Sequence, residues 1–193
     1  MDDFTLYVTM GLNHVLDFSA YDHIIFLAAL SVVYIIKEWK KVLWLVTLFT
    51  FGHSLTLALS AYEVVNLDVA LIEFLIPVTI FITALSNIIN VYLEKKSTNS
   101  INLLFALFFG LIHGLGFSNY FRMMIGQEED KLLPLVEFAL GIELAQIVIV
   151  IGILVIGFAL MKFAKLKRHH WITVTSILIA IISAKMMWER IFW

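Results

Sequence analysis

The chain has 193 residues, 62% of them hydrophobic and 15% charged, with a net charge of −2 and no cysteine; its mean hydropathy is +0.97. Soluble domains carry about 25% charged residues, so water is not the only solvent here, and the lack of a broad basic surface excludes nucleic acid as a partner. Without cysteine there are no disulfides or thiolate ligands, and any bound metal must use nitrogen or oxygen.

In chain order, Met1-Asp2-Asp3-Phe4 lacks the positive start of a secretory signal and reads as a mature N-terminus. Residues 4–18 are apolar but too short to span, which predicts a helix at the interface or re-entrant, folded into the bundle. A bilayer takes about 20 helical residues per crossing. On that ruler six spans follow, near 22–36, 42–62, 69–93, 101–118, 132–161 and 171–188, in one all-α transmembrane domain covering 1–193. Lys37-Glu38-Trp39-Lys40-Lys41, the loop with Lys95 and Lys96, and the run Lys162, Lys165, Lys167 and Arg168 alternate with loops holding Glu63, Asp68, Glu128, Glu129 and Asp130. By the positive-inside rule the basic loops are cytoplasmic, which puts both termini on the outer face.

Ionisable groups inside hydrocarbon cost at least about 2.5 kcal/mol each, so each needs a partner or a purpose. His53 and His113 fall at similar depths of the second and fourth spans, and Glu143 reaches the same level from the other end of the fifth, with Gln146 one turn on. Asp22 and His23 open the first span, Glu73 opens the third, and His14 precedes them all. Gly110, Gly114 and Gly141 are small residues that let neighbouring helices approach closely. Imidazoles with carboxylates suit a divalent transition metal such as nickel, zinc or iron. Ser54, Gln146, Glu73 and Asn87 then fit supporting roles beside the ligands. The competing account is that each histidine simply bonds a neighbouring helix backbone, and that Asp22 and Glu73 reach to water. His169 and His170 belong to a basic loop and read as solvated.

Four stretches in order, His14-Val15-Leu16-Asp17-Phe18-Ser19-Ala20-Tyr21-Asp22-His23, Phe51-Gly52-His53-Ser54, Gly110-Leu111-Ile112-His113-Gly114 and Gly141-Ile142-Glu143-Leu144-Ala145-Gln146, together resemble the HupE/UreJ family of bacterial membrane proteins. That family is associated with hydrogenase and urease accessory loci, and its characterised members are regarded as nickel permeases. The resemblance implies metal uptake, with His14, Asp22, His23, His53, His113 and Glu143 at the matching positions. The spacing departs from the family's: seven residues separate His14 from Asp22, where five are usual.

Two functions of different kinds follow. In the first, a divalent ion enters from outside through Asp22, His23 and His14 and passes to His53, His113 and Glu143, in a protein of the bacterial inner membrane. In the second, the same metal activates a water for hydrolysis of a lipid, lipoprotein or peptide, with Glu143, Glu73, Asp22 or Ser54 as catalytic groups. A haem held by His53 and His113, or a purely structural polar core, are further alternatives. The partners expected are the lipid bilayer and the metal ion, with a homo-oligomer or an accessory membrane protein left open.

Overall fold

The computed structural model describes residues 3–17, 21–65, 67–94, 99–126 and 130–193. Met1, Asp2, Phe18, Ser19, Ala20, Lys95, Lys96, Glu128 and Glu129, used in the sequence reading above, lie outside them. The described residues form helices and no strands: α1 Asp3–Leu16, α2 Asp22–Ser31, α3 Trp39–Ala61, α4 Val69–Tyr92, α5 Asn99–Met124, α6 Leu132–Phe163 and α7 Arg168–Glu189, with a short 3-10 turn at Ile36–Glu38. Helices α3 to α7 are long and apolar enough to cross a membrane.

The chain starts and stops these helices by ordinary means. Asp68 caps α4, its carboxylate accepting the Ala70 N–H at 2.8 Å. Helices α3, α4 and α6 end on residues in the left-handed region, Glu63, Glu94 and Lys165. After α3 and α6 the chain closes with N–H donors reaching back six residues, Val65 to Leu59 and Leu166 to Leu160.

The expected first span, 22–36, is corrected by the structure. Helix α2 has only 10 residues, about 15 Å of rise, which is half a crossing. The run Val32, Val33, Ile35 and Ile36 is β-branched and resists helix. Polar groups also hold the bend open. Glu38 accepts the Ile35 N–H at 3.3 Å and the Lys41 ammonium at 2.7 Å, while Arg168 donates to the Val33 carbonyl.

The bundle is pinned at two crossings where glycines bring backbones into contact. At α3 and α5, a Cβ on Gly52 would strike the carbonyl of Leu107, and one on Gly110 would strike that of Phe49. At α1 and α6, a Cβ on Gly11 would strike the carbonyl of Phe138, and one on Gly141 that of Val8. Helix α1 is therefore folded into the bundle, burying Tyr7, Gly11 and Val15. Helix α7 packs along α4 with Ile172, Ser176, Ile179, Ser183 and Met186 inward. Lys131 donates to the carbonyl of Ala61 at 3.1 Å, which puts the start of α6 beside the end of α3. We call this the acidic end, after Glu63, Asp68 and Asp130, and the opposite end, with Lys37, Lys40, Lys41 and Arg168, the basic end.

Candidate metal centre

Four of the helices deliver one histidine each to a single buried spot. His14 lies in the last turn of α1, His23 in the first turn of α2, and His53 and His113 past the middles of α3 and α5. Ring centroids are 4.6 Å apart for His14 and His23, 5.7 Å for His14 and His53, and 5.5 Å for His23 and His113. One ring nitrogen from each of His14, His23 and His53 lies within 4.8 Å of the others. Tetrahedral coordination at about 2.0–2.1 Å separates ligand nitrogens by roughly 3.4 Å. Closing that gap takes about 1.4 Å at most, within reach of ring rotation, so the donor set fits a divalent ion.

The surroundings make this group unusual. His53 is fully buried, and neither of its ring nitrogens has a hydrogen-bond partner. The same holds for both nitrogens of His23, for Nε2 of His14 and for Nε2 of His113. His113 Nδ1 sits 2.9 Å from the Phe109 carbonyl, so Nδ1 carries the proton and Nε2 is left with its lone pair. Phe26, Phe49 and Phe109 close the basic side, with Phe26 and Phe49 rings 5.1 and 5.2 Å from His113. Phe117 and Phe138, stacked at 5.4 Å, line the side of His14. Aromatic walls lower the local dielectric and offer the nitrogens nothing to bond, which is costly unless an ion or water completes them.

Asp22 stands beside this group. Its Oδ1 accepts the backbone N–H of His23 at 3.0 Å and lies 3.2 Å from His23 Nδ1, without the alignment of a hydrogen bond. A small turn of the imidazole would make the carboxylate–histidine pair that commonly orients a metal ligand. Its Oδ2 faces Arg190, 3.4 Å away at the end of α7.

The other expected residues are not among the three histidines whose ligand atoms cluster. Glu143 is outside the group of ligand atoms within 4.8 Å; its Oε1 accepts the Thr47 hydroxyl at 2.6 Å. Gln146 is fully buried and accepts from Thr50 at 3.0 Å, its Nε2 unpartnered. Glu73 has an exposed side chain. Ser54 keeps a buried hydroxyl with no partner. Asn87 donates to the Ala29 carbonyl of α2 at 2.7 Å. His169 and His170 are exposed at the basic end, as expected. Sequence reasoning missed Thr47, Thr50 and Arg190.

The family profile described as HupE / UreJ protein matches residues 1–190. The chain belongs to this family. No curated protein and no solved structure matches it. Within the HupE/UreJ sequence, the first three of the four stretches quoted above supply the four histidines, each histidine from a separate helix.

Proposed function

We propose that this HupE/UreJ protein carries a divalent transition-metal ion, nickel foremost, across the bacterial inner membrane through the histidine centre. The observation that carries the reading is five buried ring nitrogens with no polar partner, from histidines on four helices, three of which bring ligand atoms within 4.8 Å of one another, while the sixth, His23 Nδ1, has only Asp22 beside it. Structural histidines are bonded; histidines left open together await a ligand. By the positive-inside rule the basic end is cytoplasmic, the termini lie outside, and the centre sits in the outer half of the membrane.

His14, His23 and His53 would bind the ion, with His113 and Asp22 adjacent. Toward the cytoplasm, Phe26, Phe49 and Phe109 form a dry plug, their centroids 5.0 to 5.5 Å apart where they meet. Beyond it a cavity of about 20 Å³, lined by Thr83, Ser86, Asn87 and Asn102, has room for one water. Passage inward would need the plug to part, exposing the ion to oxygen donors that bind it more weakly than imidazole and so favour release. The hydrolase reading has less support: Glu143 accepts from Thr47, both oxygens of Asp22 are engaged, and the Glu73 side chain is exposed.

The test is purified protein in liposomes, with nickel, cobalt, zinc or iron outside. Expected is saturable entry of at least one ion, abolished by His53→Ala. Protein that holds a stoichiometric ion by elemental analysis but moves none would refute transport while keeping the site. Protein that neither holds nor moves one would refute both.

A further inference from the structure

Arg190 is an internal cation seated where the incoming one must act. Three observations place it there. Its guanidinium reaches Asp22 Oδ2 from two nitrogens, at 3.4 and 3.5 Å. Its Nη1 also donates to the backbone carbonyl of Glu73 at 3.2 Å. That carbonyl is available because Pro77, four residues on inside α4, has no N–H to bond it. Beyond Arg190 the tail folds back on α4, with Phe192 and Trp193 centroids 6.1 and 5.0 Å from Phe74.

The acceptor is a carboxylate only 7% exposed, where an unpaired negative charge would be expensive. Arg190 supplies the missing positive charge while the histidines, all neutral as ligands, supply none. An ion entering beside His23 brings two charges to the same carboxylate, and Asp22 cannot be shared with a guanidinium at low dielectric without strong repulsion. We propose that Arg190 is a tethered counter-cation that occupies Asp22 in the metal-free protein and gives it up when a divalent ion binds. This rests on the metal reading above. Its consequence is a built-in limit on affinity: each ion must displace Arg190, and Arg190 returning helps expel it.

The sign of one measurement separates this from a merely positioning role. If Arg190 only holds Asp22 and His23 in place, Arg190→Gln weakens binding. As a competitor, Arg190→Gln tightens nickel binding by roughly tenfold or more, about 1.4 kcal/mol per decade, and slows nickel release. Arg190→Lys, which keeps the charge, stays near wild type. Titration of Ni²⁺ into the detergent-purified full chain and its two variants reads this out; weaker or unchanged binding in Arg190→Gln overturns the proposal. Wild-type protein that binds no nickel, cobalt, zinc or iron would instead defeat the metal reading itself.

Discussion

The two glycine crossings are built on one pattern and do different work. In each, a glycine of one helix lies on the carbonyl three residues before the other's glycine: Gly52 on Leu107 and Gly110 on Phe49, Gly11 on Phe138 and Gly141 on Val8. In each, a histidine follows a glycine by three residues, His113 after Gly110 and His14 after Gly11. The α3 and α5 crossing sits in the core, where Gly114 also presses on the His53 carbonyl, so scaffold and site coincide. The α1 and α6 crossing attaches a 14-residue helix that is too short to span, and what it adds is His14. The same docking thus serves the fold in one place and the ligand in the other.

The sharpest way to break the comparison is to fill both crossings. Gly52→Leu forces a side chain into backbone with nowhere to move; overpacking of this kind costs about 3 kcal/mol or more. The expected outcome is protein that fails to give a monodisperse peak in detergent. Gly11→Leu should detach α1 alone, giving a folded bundle with a clear unfolding transition and nickel affinity reduced about 100-fold or more, because His14 leaves as a ligand and not only as support. Equal collapse of both variants would show that α1 is scaffold after all.

A substitution at the centre comes next. His53→Ala removes the only histidine of the group that is fully buried with both nitrogens unpartnered. Equilibrium dialysis should show nickel affinity lowered more than about 100-fold, beyond the loss expected for an outer partner. His169→Ala, exposed at the basic end, should change nothing. Saturating metal offers the complementary test. An ion bound only by folded protein at 100 times its Kd stabilises it by about 2.7 kcal/mol. That gain should appear in wild type as a raised Tm, vanish in His53→Ala, and shrink as pH falls, because protons compete for the same nitrogens.

How far the sequence carried follows from the kind of information each step used. Long apolar runs made α3 to α7 legible because burial of a crossing depends on length and composition. The break after Ser31 was not, because it depends on a β-branched run and on Glu38 and Arg168 taking backbone groups of residues 33 and 35, and hydropathy counts none of these. Depth was legible for His53 and His113, since Gly114 meets the His53 carbonyl, but not for Glu143, which bonds Thr47, six residues or about 9 Å along α3 from His53. Direction around the helix was not, since a ruler along the axis is blind to which neighbour a side chain faces. Arg190 went unread for a related reason, as its seat exists only once Pro77 frees the Glu73 carbonyl and α7 packs along α4.

Glu143 gives the smallest and most pointed test, because family resemblance and geometry differ over it. The resemblance makes it a ligand; in the structure its carboxylate accepts from Thr47 at 2.6 Å and lies outside the histidine group. Glu143→Gln keeps an oxygen for Thr47 to donate to. Polar bonds between membrane helices average about 0.6 kcal/mol, so the loss of stability should stay below that, with nickel affinity unchanged. Thr47→Val should cost more, since it leaves the half-buried carboxylate without the hydroxyl. Unfolding in denaturant and nickel titration decide the matter together. If Glu143→Gln abolishes binding as His53→Ala is expected to, the carboxylate must leave Thr47 to meet the ion, and the centre would reach one helix further than the four that now hold it.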